Sequence, residues 1–295
     1  MEIQTLSLVV PAGCPNRCRF CVSVLHDDSS YKNQIEKNLR FKALYNMEFR
    51  KRLEFARDNG CNTMILTGDG EPLYNMEFLE DVATWNKLLR NPFKWVELQT
   101  AGISLETEKL WWLRETVAVN TISLSLSDVF SSDNNALYNR SPEKLKIDID
   151  QLCAQIKEVD FTLRLSLNLT DFYNNYNAED IFKRVKTLGA DQVTFRVLYS
   201  SPNANTEEEI TVNEWIKNHK ANTDILSEIN QYIKTNGRAL EVLPFGATRY
   251  SVDGISTVLD DDCMSTELKN SLKYLILRPN SKLYTKWDDV GSLLF

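Results

Sequence analysis

Histidine is almost missing from this chain: two of its 295 residues, His26 and His219, carry an imidazole. They stand far apart, so no H-x3-H pair is available to complete a zinc site built from two ligand pairs. A second cysteine pair is missing too, since Cys61, Cys153 and Cys263 are scattered singly. No apolar run approaches the roughly 18–20 residues of a membrane span. The opening MEIQTLSLVVPAG has neither a basic segment nor a long apolar one. No secretory signal is read there, and the cytoplasm is the expected location. In that compartment disulfides are rare, and grouped cysteines more often bind metal. Basic charge is not in excess, the formal net charge being -7. That balance, with no basic aromatic run, argues against a nucleic-acid partner. With 43% hydrophobic and 25% charged residues, the chain can bury a sizeable core, as one large α/β barrel or two smaller domains.

Three of the six cysteines gather in GCPNRCRFC, where Cys14, Cys18 and Cys21 are spaced C-x3-C-x2-C. A structural zinc site takes four ligands and an iron–sulfur cluster normally takes four thiolates. Three thiolates therefore leave one metal position for a substrate or cofactor. Pro15, Asn16 and Arg17 suit a tight loop that folds the thiolates inward, and Arg17 and Arg19 could offset a cluster's negative charge. A zinc knuckle or a chance group of buried thiols is the plainer alternative.

The spacing, with Phe20 just before the third cysteine and the strand-like Leu6–Val10 just ahead, resembles the signature loop of the radical S-adenosylmethionine (radical SAM) enzymes. The resemblance implies one [4Fe–4S] cluster on Cys14, Cys18 and Cys21, its fourth iron chelated by SAM, with Phe20 near the adenine. A second stretch, LTGDGEPLYN, resembles the family's Gly-Gly-Glu-Pro motif, which contacts the SAM amino group. Here an acid stands between the glycines, and Gly68, Asp69, Gly70 and Glu71 become SAM-binding candidates. Glycine permits close backbone approach to a ligand, and carbonyls and a carboxylate suit an ammonium group. Thr100, in LQTAG, stands where the family often has Thr-Asn-Gly, with Ala101 in place of the Asn. Ser125, Ser127 and Asn168 match positions that contact the SAM carboxylate or ribose, and Val197 and Leu198 could line the adenine.

Strand–helix alternation supports the same fold class. Strand-like runs lie at Leu6–Val10, Asn62–Thr67, Trp95–Thr100, Thr121–Ser127, Phe161–Leu169 and Gln192–Tyr199. Helical patterns lie at Lys42–Asp58, Met76–Leu89, Glu106–Glu115, Pro142–Val159, with Ser141 as cap, and Ala178–Leu188. The expectation is an α/β fold, a partial (β/α)6 barrel over residues 1–204. Residues 205–295 would form a small α+β extension that completes or covers the substrate site, opening with one long helix, Val212–Lys234.

Side chains alternate faces along a strand. In TISLSLS, Ile122, Leu124 and Leu126 share one face, and Thr121, Ser123, Ser125 and Ser127 the other. In FTLRLSLNL the apolar positions alternate with Thr162, Arg164, Ser166 and Asn168. Thr194 pairs in this way with Arg196, and Glu97 with Gln99. Apolar faces must meet the helices, so the polar faces point into the barrel. Eight-stranded barrels usually fill that space with branched apolar side chains. A charged lumen is costly unless it binds something polar or pairs with itself, as in an Arg–Glu97 contact. Glu97, Arg164 and Arg196 are the substrate-binding candidates.

The resemblance implies reductive cleavage of SAM to a 5′-deoxyadenosyl radical, hydrogen abstraction from a substrate, and an electron donor such as flavodoxin or ferredoxin. Inward arginines favour an anionic small-molecule or nucleotide-like substrate. The alternatives are a peptide or protein substrate, RNA modification, and a non-catalytic iron–sulfur or zinc protein with no use for the Gly-Glu-Pro loop. Cys263, in DDDCMS, is a candidate hydrogen donor or substrate contact. Cys61 and Cys153 read as structural. The acidic runs Asp260–Asp262 and Asp288–Asp289 read as solvated loops.

Overall fold

The computed structural model describes residues 2–24, 42–202, 204–243, 246–260, 267–268, 271–287 and 290–294. Cys263, His26, Asp261, Asp262, Asp288 and Asp289 lie outside them. The six core strands are β1 (Glu2–Val9), β2 (Thr63–Thr67), β3 (Trp95–Thr100), β4 (Thr121–Leu126), β5 (Thr162–Leu169) and β6 (Gln192–Val197). Between them run α1 (Lys42–Asp58), α2 (Met76–Lys87), α3 (Thr107–Trp112), α4 (Ser132–Asn139), α5 (Ile149–Glu158) and α6 (Ala178–Thr187). After β6 come α7 (Glu207–His219), α8 (Thr223–Asn236), β7 (Gly237–Val242), β8 (Thr248–Val252), β9 (Ile255–Asp260), β10 (Glu267–Leu268), β11 (Ser271–Leu277) and β12 (Leu283–Tyr284).

The strands form one sheet in the order β10-β11-β1-β2-β3-β4-β5-β6-β9-β8-β7, with β12 paired to β11. From β11 to β9 every neighbour is parallel. The C-terminal third thus adds one parallel strand to each edge of the six-stranded core. Antiparallel β10 and β12 flank β11, and β8 and β7 flank β9. Among the described residues, β11 and β9 do not pair with each other, so the barrel stays open at this seam. A side-chain contact crosses it: Lys273 Nζ lies 3.0 Å from Asp260 Oδ1, both side chains buried.

The alternation of apolar positions decides which face is buried. Ile122, Leu124, Leu126, Leu163, Leu165, Leu167 and Leu169 join one core with Leu79 and Val82 of α2 and Ile181 and Val185 of α6. The opposite face turns inward, where Asn168 Nδ2 donates to Ser125 Oγ at 3.1 Å. Cys61 and Cys153 are buried in the core.

Two helical expectations are corrected. Pro142 is extended (ψ 139°), a short 3-10 turn follows at Glu143–Leu145, and α5 begins only at Ile149. The cap is Asp148, whose carboxylate accepts from Gln151 N at 3.0 Å; this satisfies an orphan N–H of the first turn. The long C-terminal helix is two. Lys220 takes ψ 154° and ends α7, and Asn222 opens α8 by accepting from Ile225 N at 3.0 Å. Among the described residues no helix is long and apolar enough to cross a membrane.

Candidate active site

The cysteine loop follows β1, at the C-terminal end of the parallel strands. The C-terminus of α4 anchors it: Arg17 N donates to Asn139 O at 3.0 Å and Arg19 N to Tyr138 O at 3.2 Å. Burial, followed by the neighbouring Cys21 and Cys14, raises the Cys18 thiol far above its ordinary range. Cys21 Sγ is hydrogen-bonded to Ser23 Oγ at 2.9 Å. The three thiols thus lie near enough to act on one another. Among the described residues, however, no three metal-ligating side chains are drawn together as a closed site. Burial also pushes the Cys14 thiol up to about 11, and thiols such as Cys14 and Cys18 release protons when they bind a metal.

The second motif packs directly beneath this loop. A Cβ on Gly68 would stand 2.7 Å from Val10 O, and one on Gly70 would stand 2.0 Å from Ala12 O. The glycines therefore admit the start of the cysteine loop against their own backbone. Glu71 N donates to Gly13 O at 3.1 Å and Asn75 Nδ2 to Pro11 O at 2.7 Å, locking the two motifs together. The Glu71 side chain is buried and turned toward β3. Its carboxylate accepts from Thr100 Oγ1 at 2.8 Å, Ala101 N at 2.9 Å and Leu73 N at 3.4 Å. Burial outweighs these donors and pushes Glu71 up to about 7. Asp69 stays half-exposed, with Arg278 Nη1 3.7 Å from its Oδ2.

Two cavities meet at these motifs. One fills the barrel lumen, ≈ 620 Å³, and takes in Phe20, Asn168, Val197 and Leu198. The other, also ≈ 620 Å³, lies beside the cysteine loop and takes in Cys14, Gly70, Glu71 and Thr100. Cys18, Cys21, Gly68, Asp69, Ser125 and Arg196 line both. Among the described residues Ser127 lines neither. Its Oγ donates to Asn139 Oδ1 at 2.6 Å, so it braces the residue that holds Arg17. Glu97 and Arg164 pair with each other, Arg164 Nη1 to Glu97 Oε2 at 2.5 Å, and Arg164 Nε donates to Gln192 Oε1 at 2.8 Å. All three come early in their strands, so this polar cluster floors the lumen away from the thiols. Arg196, late in β6, lies at the thiol end.

The second cavity fits a polar ligand. Both amide atoms of Asn16 and Ser123 Oγ are buried and make no hydrogen bond to the protein, and both residues line this cavity. Buried polar groups are normally paired, so such orphans point to a missing partner. Ser123 was legible as a member of the polar face of β4. Asn16 and Trp215 join the site through the fold. Trp215, on α7, lines the same cavity, and its ring centre lies 5.9 Å from that of Phe20. Nothing in the local pattern of α7 shows that this helix returns over the cysteine loop.

Residues 8–144 match the profile of the radical SAM superfamily. Solved structures share the fold at low identity. Histidine-tagged anSMEcpe with bound AdoMet gives a TM-score of 0.60 at 13% identity, covering 100% of this chain and 74% of that one. Native anSMEcpe with bound AdoMet and the Cp18Cys peptide gives 0.59 at 12% identity, covering 98% and 75%. Streptococcus suis SuiB bound to S-adenosylmethionine gives 0.52 at 13% identity, covering 96% of this chain. The chain spans 60% of the length of SuiB. No curated protein matches the sequence.

Proposed function

The chain carries a radical SAM domain over residues 8–144, and from this premise we propose that it is an enzyme that abstracts hydrogen from a substrate held in its lumen. Cys14, Cys18 and Cys21 would hold the [4Fe–4S] cluster, and SAM would occupy the cavity beside them. Once bound, the cluster and SAM supply the one-electron reduction and the organic radical that the protein itself cannot make. The observation that carries the reading is the junction of the two cavities at Cys18, Cys21, Gly68, Asp69, Ser125 and Arg196.

The chain's own residues supply binding and orientation. Asn16 and Ser123 offer unpaired polar atoms to SAM. Trp215 lines the flank of its cavity, with Phe20 packed against it from the lumen side. The Glu97–Arg164–Gln192 cluster lines the lumen toward its far end, where its charges are paired with each other. An anionic small-molecule or nucleotide-like substrate would be met by Arg196, which lines both cavities at the thiol end of the lumen. A peptide or protein substrate is the second reading. It is favoured by a lumen wall whose acids, Asp69, Glu97, Glu241 and Asp260, balance Arg164, Arg196, Arg249 and Lys273, and by the peptide bound in a protein of this fold. A flavodoxin or ferredoxin would deliver the electron, in the cytoplasm.

The test is anaerobic reconstitution followed by iron and sulfide analysis and electron paramagnetic resonance. The expected result is one four-iron cluster per chain whose reduced signal shifts when SAM is added. A protein that holds zinc alone, or a cluster blind to SAM, contradicts the proposal.

A further inference from the structure

The acid in the second motif has a partner that the motif does not account for. Asp69 stands between Gly68 and Gly70, which pack against the backbone at Val10 and Ala12. With both flanking residues pinned, the loop is fixed, and the Asp69 side chain, 49% exposed, emerges where the two cavities meet. Behind it lies Arg278, just past the end of β11, with a side chain 1% exposed. Its Nη2 donates to Trp287 O at 2.6 Å, and its guanidinium carbon lies 5.9 Å from the Tyr284 ring centre and 5.7 Å from that of Trp287. A planar fork held between two rings and a carbonyl has little freedom, and a buried cation needs an opposing charge. The 3.7 Å between Nη1 and Asp69 Oδ2 is a charge contact, longer than a hydrogen bond. A carboxylate has about four acceptor sites, more than the Arg278 contact fills, and Asp69 lines both cavities.

We propose that Arg278 is a positioning residue for SAM: acting through Asp69, it fixes the carboxylate that receives the α-ammonium group. The C-terminal strand region thereby completes a site whose other parts all come from the first 220 residues. The inference rests on the radical SAM reading and adds to it a residue far from either motif in sequence. A charge-assisted hydrogen bond depends on the alignment of its partners, and the fixed Arg278 guanidinium contributes to the alignment of Asp69.

The experiment is anaerobic titration calorimetry on the cluster-loaded full chain with SAM, S-adenosylhomocysteine and methylthioadenosine; the last has the nucleoside and no aminoacyl group. Asp69→Asn and Arg278→Gln are each expected to weaken SAM and S-adenosylhomocysteine about tenfold, with methylthioadenosine unchanged. The double variant should be no weaker than the weaker single one, since both remove the same contact. Arg278→Lys, which keeps the charge and loses the fork, should fall between. Asp69→Asn changes a half-exposed side chain and carries the test alone if Arg278→Gln does not fold. Wild-type affinity in Asp69→Asn, an equal loss for methylthioadenosine, or tighter SAM binding in Arg278→Gln overturns the inference. If the wild type binds no SAM, the reading beneath it falls, and the inference falls with it.

Discussion

Thr100 Oγ1 donates to Glu71 Oε1 at 2.8 Å, and the same hydroxyl oxygen accepts from Gly102 N at 2.9 Å. This relay joins the second motif to the end of β3 around a buried carboxylate. Burial pushes Glu71 up from 4.5 to about 7, so the folded chain holds this proton more tightly than the unfolded chain does. The resulting stability is fully present below about pH 4.5 and is lost as pH rises through about 7. In urea unfolding of the metal-free protein, the stability of the wild type relative to Glu71→Gln should fall by on the order of 3 kcal/mol across that window and then level off. A difference that does not change between pH 4.5 and 7 contradicts this.

Gly70→Ala places a methyl group 2.0 Å from Ala12 O. The obstacle is backbone, and no rotamer relieves it. The expected cost is about 2–3 kcal/mol, by analogy with overpacked cores, along with less iron retained after reconstitution. Gly13→Ala is the control, because a Cβ there meets nothing within 4 Å. Equal iron retention in wild type and Gly70→Ala would show that the two motifs are not coupled.

Glu97 and Arg164 floor the lumen, their side chains 3% and 26% exposed. Breaking a buried pair from one side costs more than removing both partners. Glu97→Leu should lower stability by about 3 kcal/mol, with Arg164→Met added to Glu97→Leu recovering part of the loss. Chemical denaturation of Glu97→Leu, Arg164→Met and the double variant checks the order. Additive losses would mean that the two side chains do not act as a pair.

The seam between β9 and β11 supplies a parallel case. Lys273→Met leaves the buried Asp260 carboxylate without its cation at 3.0 Å. It should cost about 3 kcal/mol. Hydrogen exchange should speed up in β9 and β11 first, since Lys273–Asp260 is a side-chain contact across the open edge. Faster exchange spread evenly over the eight strands would assign the pair a general role in stability instead.

Alternation in TISLSLS and FTLRLSLNL was enough to read the strands, their buried face and the polar lumen, because faces on a strand follow from a two-residue period. The two motifs were legible as a pair because each follows a strand in an ordered β/α series. The Glu97–Arg164 contact was foreseen as the self-paired alternative. Three things were out of reach. The strands β9 and β11 join opposite edges of the same sheet, and no local pattern encodes which edge a late strand will find. The break at Lys220 rests on Asn222 capping α8, a polar residue that equally suits the exposed face of a continuous helix. Arg278 lies 209 positions after Asp69 in the sequence, and only the fold brings the two together.

The central claim is that three thiolates and the adjoining cavity turn SAM into a source of radical chemistry. Anaerobically reconstituted protein is given SAM and dithionite, and 5′-deoxyadenosine is followed by chromatography and mass, with Cys18→Ala beside it. Formation of 5′-deoxyadenosine by the wild type and none by Cys18→Ala is the predicted result. A wild type that carries its cluster, binds SAM and still forms no 5′-deoxyadenosine, with anionic and peptide substrates supplied, contradicts the account.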